Sequence, residues 1–143
     1  MPEIASSIEI DASPEAIWRV LMGIEAWPEW SPLFQNVRLH DPSAGVASGF
    51  QLQGLLGRIP YSGEFMVPGY RPLERFIFES VTISPPYDVL WHDVTLSGQT
   101  LTWTVVYEMA GGPGGWVFDQ LMVRRSAQGL LERGMRALAE QVT

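Results

Sequence analysis

Ile4, Ile8 and Ile10 fall on one parity of the chain and Glu3, Ser7 and Glu9 on the other, the alternation of a half-buried strand over residues 3–10. Ser13-Pro14-Glu15 then starts a helix. The Ser hydroxyl can cap a free N–H, Pro tolerates the first helical position, and an early carboxylate suits the positive end of the helix. Ile17, Leu21 and Ile24 follow at helical spacing, Gly23 offers a stop, and IEAWPEWSP reads as a second short helical turn ended by Ser31-Pro32. From Phe34 the period returns to two, predicting strands over 34–40, 46–54, 60–67, 74–83, 87–97 and 100–109. The turn-formers Asp41-Pro42-Ser43-Ala44-Gly45, Pro68-Gly69, Ser84-Pro85-Pro86 and Ser97-Gly98 separate them. GGPGG at 111–115 reads as a turn, and from Trp116 to about Val142 nothing interrupts one long helix.

Strands joined by such short turns predict an antiparallel meander, so the expected architecture is α+β: a seven-stranded curved sheet, two short helices after its first strand, and one C-terminal helix. The chain shows no repeat or linker, and residues 1–143 are expected to form one domain. A domain of this size buries roughly two thirds of the surface of its unfolded chain, enough for one core or one core enclosing a cavity. Six Trp, six Phe and four Tyr must be housed there.

The final helix carries a stripe at 117, 121, 124, 128, 131, 135, 138 and 142, read as Val, Leu, Arg, Gln, Leu, Met, Leu and Val. Arg124 and Gln128 interrupt it. Either they reach a cavity as hydrogen-bond donors or the buried face is rotated and Arg124 carries its head group to the edge, with Arg125 as the competing candidate. If a two-residue turn at Ser97-Gly98 or Gly98-Gln99 joins the last two strands, Leu90, His92, Val94 and Leu96 share the inner face with Leu101, Trp103, Val105 and Tyr107. His92 then lies on an apolar wall, as a hydrogen-bonded core residue, a ligand handle, or an enolisation base. Tyr61 and Phe65 share parity with Gly63, whose missing side chain would leave room for a ligand, although a one-residue slip would exchange them with Glu64. In a meander the loops 54–60, 84–87 and 110–115 gather at one end, where Leu55, Leu56, Ile59, Pro85, Pro86 and Trp116 make a greasy rim or simply pack against the helix.

Charge and composition narrow the chemistry. The net charge of −7, with no local basic patch, argues against nucleic acid. With no cysteine and no lysine, thiol nucleophiles, thiolate metal sites and Schiff bases are excluded. His40 and His92 lack ligand spacing, so no metal and no other cofactor is expected. MPEIASSIEI lacks a basic and an apolar leader region, and no apolar run approaches about 18 residues, so the expectation is a cytoplasmic protein without stable membrane insertion. Its state, monomer or homodimer, stays open.

The order of elements, with ASPEAIWRVLMGIEAWPEWSP near its start, resembles the polyketide cyclase/dehydrase and lipid-transport group of the START-like (Bet v 1-like, SRPBCC) superfamily across essentially the whole chain. The resemblance implies a helix-grip fold around a hydrophobic cavity, with Trp27 closing one end. TLTWTVVYEM, with Trp103 and Tyr107, is similar to the segment whose rings line the interior of bacterial aromatase/cyclases. The matching strand IPYSGEFMV lacks the interior arginine of that pattern, Arg58 lying just before it. The expected partner is therefore a hydrophobic small molecule, ring-bearing or polyketide- or lipid-like. Trp27, Trp30, Tyr61, Phe65, Leu90, His92, Trp103, Val105, Tyr107, Leu121, Arg124, Arg125 and Gln128 are its candidate contacts. The alternatives are a cyclase, dehydratase or isomerase in which His92, Tyr107, Arg124 or Gln128 moves protons or holds a carbonyl, and a ubiquinone-binding or protein-interaction role.

Overall fold

The computed structural model describes residues 2–119 and 123–143, apart from the side chains of Trp116 and Phe118. Strand β1 (Glu3–Glu9) leads into helix α1 (Pro14–Met22) and a 3-10 helix (Ile24–Glu29). Ser13 Oγ accepts the Ala16 N–H at 3.2 Å and Pro14 opens α1, as the capping chemistry requires. Then come β2 (Phe34–Leu39), a 3-10 turn (Gly45–Ser48), β3 (Phe50–Leu56), β4 (Ile59–Arg71), β5 (Arg75–Ile83), β6 (Tyr87–Ser97) and β7 (Thr100–Met109). The strands form one antiparallel sheet in the order β1-β7-β6-β5-β4-β3-β2. Helices α2 (Gly112–Phe118) and α3 (Arg124–Val142) end the chain, and α3 packs on β1, β3 and α1. This is the α+β helix-grip fold, its core lying between the curled sheet and α3.

Three boundaries differ from expectation, each for a local reason. β4 does not stop at Pro68-Gly69 but runs to Arg71. A register shift between Met66 and Gly69 takes Pro68, which has no N–H to offer, off the ladder, and the turn falls at 72–74 with Leu73 at φ +67°. β3 starts at Phe50, because residues 45–48 close a 3-10 turn in which Ser48 Oγ donates to the Gly45 carbonyl at 2.8 Å. GGPGG is no simple turn. Gly111 and Gly112, at φ +104° and +53°, reverse the chain after β7, and Gly112–Phe118 coil into α2 with Pro113 in the first turn. Of the expected helix over 116–142, the structure describes α2 as far as Phe118 and α3 from Arg124, and residues 120–122 lie outside the described residues.

The stripe on α3 is rotated from the expected one. Val123, Ala127, Leu130, Leu131, Gly134, Met135 and Leu138 are buried, whereas Val117 and Arg124 are exposed and Gln128 is half-buried. Gly134 lets α3 cross close over Ser31-Pro32, since a Cβ there would stand 3.0 Å from Ser31 Oγ.

Candidate functional site

The inner wall is built by the β6–β7 hairpin, whose residues pair as Leu90 with Tyr107, His92 with Val105, Val94 with Trp103 and Leu96 with Leu101. Ser97 pairs with Thr100, so Gly98-Gln99 makes the turn, with Gly98 at φ +63°. All eight expected inner residues are buried. Trp103 Nε1–H donates to His92 Nδ1 at 2.9 Å, and the imidazole stacks on Phe78 at 4.4 Å between ring centres. Burial among these rings lowers the His92 pKa to about 3, so the ring is neutral near pH 7. With Nδ1 accepting, the proton sits on Nε2, and Nε2 has no partner among the described residues. In this arrangement His92 has no free lone pair to act as a base; what it offers is a donor.

Around this wall the aromatic residues crowd together. Trp27 is fully buried and donates from Nε1 to the Leu21 carbonyl at 2.9 Å. Phe34, Phe50, Phe76, Phe78 and Trp103 lie around it at centroid distances from 4.9 to 6.2 Å. Trp30 is also buried, edge-on to Trp103 at 6.3 Å, and its Nε1–H has no partner among the described residues. Tyr61 and Phe65 point inward from β4 and are buried; burial pushes the Tyr61 phenol well above its ordinary pKa, and Phe65 stacks on Phe50. Glu64 faces outward and pairs with His40. The space expected beside Gly63 is taken by protein: a Cβ there would meet the Thr82 carbonyl oxygen at 2.2 Å, a consequence of the register shift between Glu64 and Phe65.

At the other end of the wall the three expected loops do gather. Tyr87 Oη donates to the Leu56 carbonyl at 2.8 Å, the Ala110 N–H donates to the Pro86 carbonyl at 2.8 Å, and Gly57 approaches Val123. Leu56 is buried here, Leu55, Ile59 and Pro86 are half-buried, and Pro85 is exposed. Leu121 and the Trp116 side chain lie outside the described residues. A residue absent from the sequence expectations sits at this end. Asp119, 1% exposed, accepts a hydrogen bond from Tyr107 Oη at Oδ1, and its Oδ2 has no partner among the described residues. Burial, then the hydrogen bond and the charge of Asp119, raise the Tyr107 pKa, so the phenol stays protonated; Arg124 offsets part of the rise. The available signal was that Asp119 is the sole acidic residue between Glu108 and Glu132.

Arg124 and Gln128 lie beside the sheet instead of on the inner wall. Arg124 Nη2 donates to the Glu3 carbonyl at 3.1 Å and Gln128 Nε2 to the Ala5 carbonyl at 2.8 Å, covering the free edge of β1. With Arg125 they line an open groove of about 660 Å³ between β1 and α3. The structure thus brings Leu90, His92, Trp103, Val105 and Tyr107 to one wall, with Trp27, Trp30, Tyr61 and Phe65 facing the same interior, and sets the two arginines and Gln128 apart from it. Among the described residues no three His, Asp or Glu side chains gather as a metal site, and no helix is long and apolar enough to cross a membrane.

Comparison with known proteins adds to this geometry. The profile of the family described as polyketide cyclase / dehydrase and lipid transport matches residues 1–143. No curated protein sequence matches the chain. Among solved structures, TTHA0849 from Thermus thermophilus is 18% identical, with 99% of this chain and 97% of that one covered at a TM-score of 0.80. A START superfamily protein from Mycobacterium smegmatis is 19% identical, with 98% and 96% covered at 0.71. The Zhui aromatase/cyclase from Streptomyces sp. R1128 is 12% identical, with 99% and 93% covered at 0.68. At these identities the structural likeness is one of fold.

Proposed function

The chain belongs to the polyketide cyclase / dehydrase and lipid transport family, within the START-like, Bet v 1-like superfamily, and from that premise we propose that it binds a mostly apolar, ring-bearing small molecule between the sheet and α3. One observation carries the reading. On an interior made almost wholly of hydrocarbon and aromatic surface, His92 Nε2, Trp30 Nε1 and Asp119 Oδ2 are buried without partners among the described residues. Such atoms are costly in a closed core, and a ligand site needs a few of them on apolar walls.

Native mass spectrometry of freshly purified protein, with titration of the stripped protein by naphthalene-based probes followed through Trp fluorescence, tests this. The expected result is a retained organic mass or saturable one-to-one quenching; a clean apo mass together with no saturable quenching by any apolar probe would refute it. The Tyr107–Asp119 pair favours a second reading, a cyclase or dehydratase in which the Asp119 carboxylate, fixed at Oδ1 by the Tyr107 phenol, takes a proton from the substrate at its unpartnered Oδ2. A poly-β-ketone put through the same assay separates the two, being consumed by an enzyme and returned unchanged by a carrier.

A further inference from the structure

On its outer side, the β6–β7 hairpin ends in a group of carboxylates that the interior does not use. Glu108 follows Tyr107 on β7, so it faces the opposite way and is exposed. Asp88, also exposed, stands where the pairing of β6 with β7 shifts between Tyr87 and Val89. Both line a cleft of about 280 Å³ that Asp119 lines as well. Asp119 is 1% exposed; its Oδ1 holds the Tyr107 phenol, and its Oδ2 has no partner among the described residues. No arginine lines the cleft, and none of these three carboxylates forms a salt bridge among the described residues. A carboxylate oxygen taken out of water without a partner is costly, and a cation in the cleft would remove that cost.

The form of the cation follows from the walls. Among the described residues the carboxylates do not converge as a metal site, so the negative charge is spread, buried at Asp119 and exposed at Asp88 and Glu108. Pro2, Met109 and Ala110 add hydrocarbon, and Gly115 contributes bare backbone, since a Cβ there would stand 2.5 Å from the Ala110 carbonyl oxygen. An anion would be repelled, and a neutral alcohol would leave the charges unanswered. A linear diammonium carries charge at both ends and methylene groups between them. We propose that this cleft is a second binding site, for a short aliphatic diamine, with one ammonium donating to Asp119 Oδ2 and the other paired with Asp88 and Glu108 at the rim. The site goes beyond the chamber reading and needs no ligand in the interior. Filled, it takes Oδ2 away from the chamber and leaves His92 Nε2 and Trp30 Nε1 to it.

Calorimetric titration of the full chain with 1,4-diaminobutane, 1-aminobutane, 1,4-butanediol and calcium chloride tests this, in roughly 0.15 M salt to screen the general attraction of cations to a chain of net charge −7. The diamine is expected to bind saturably, one to one, and at least about tenfold more tightly than 1-aminobutane, because only it answers both ends of the cleft. Butanediol and calcium should show no saturable binding. Asp88→Asn with Glu108→Gln, both at exposed positions, should bring the diamine down to the level of 1-aminobutane and leave binding of the naphthalene-based probes unchanged. Asp119→Asn should abolish binding of both amines; where circular dichroism shows that chain unfolded, the exposed pair decides alone. No diamine binding, equal binding of diamine and monoamine, or calcium binding as tight as the diamine overturns the proposal. So does diamine binding that the double substitution leaves unmoved. The naphthalene probes report the chamber separately, so an empty chamber leaves this site standing, and loss of the site leaves the chamber.

Discussion

At the scale of single residues, His92 shows how neighbours choose a function for a side chain. The sequence places a histidine on an apolar strand face, which leaves handle, base and packing role all available. The indole of Trp103 takes the acceptor nitrogen, burial removes the charged form, and only a donor remains. The same facts predict a pH dependence. Unfolded, His92 takes up a proton as pH falls below its ordinary value of about 6.5, whereas folded it stays neutral until about 3. The stability present above pH 6.5 is therefore lost progressively as pH falls from 6.5 toward 3, by up to about 1.4 kcal/mol per pH unit. Urea unfolding at pH 7, 6, 5 and 4 should show His92→Phe with a shallower loss than the unmodified protein, by about one proton. Parallel curves would mean that the imidazole is not buried and neutral. Asp119 is not legible in the sequence, because a lone carboxylate in a helical stretch carries no periodic signal; its partner Tyr107 comes from the preceding strand.

At the scale of elements, strands and hairpins follow their patterns, and bulges and close approaches do not. The β6–β7 register and its inner face agree with parity and a two-residue turn, because alternation along a pleated strand leaves two choices and the turn selects one. β4 defeats the same logic, since the shifts at Glu64/Phe65 and Met66/Gly69 carry the strand through Pro68-Gly69. Gly63 and Gly98 should respond differently to Ala. At Gly63 a Cβ would lie 2.2 Å from a carbonyl oxygen of β5, which forces strand backbones apart and should cost about 2 kcal/mol or more. At Gly98 nothing lies within 4 Å, and the cost is the left-handed backbone alone, about 1 kcal/mol. Chemical denaturation of both variants checks the order, and a Gly63→Ala protein no less stable than Gly98→Ala would contradict the close packing of β4 on β5. On α3 the displaced Arg124 and Gln128 act at this scale too, closing the β1 edge with side-chain donors.

At the scale of the molecule, Trp27 is the hub of one aromatic cluster between sheet and helix, and Tyr61, Tyr87 and Tyr107 form a separate group. Dense ring packing and a ligand chamber compete for the same volume, and the removal of Trp27 measures the balance. Trp27→Ala should cost about 3–5 kcal/mol if the cluster is close-packed and cannot collapse into the gap. Added indole should then raise its melting temperature by refilling the space. A loss below about 1 kcal/mol would reveal slack around the hub. The fold was legible because its information is local and repeated: period two in the strands, period 3.6 in the helices, and turn residues between them.

The amino-acid order by itself determined which side chains of the last hairpin face inward, where α1 begins, that a curled antiparallel sheet would hold a C-terminal helix, and that thiol and lysine chemistry are absent. The tertiary structure decided that a carbonyl of β5 fills the gap beside Gly63, that Arg124 and Gln128 meet the edge of β1, that Asp119 meets Tyr107, and that His92 is a donor. Periodicity reports only whether a position faces inside or outside. Which atoms meet there depends on sheet curvature, bulges and the rotation of α3, and these arise from contacts between segments as far apart in the chain as Glu3 and Arg124.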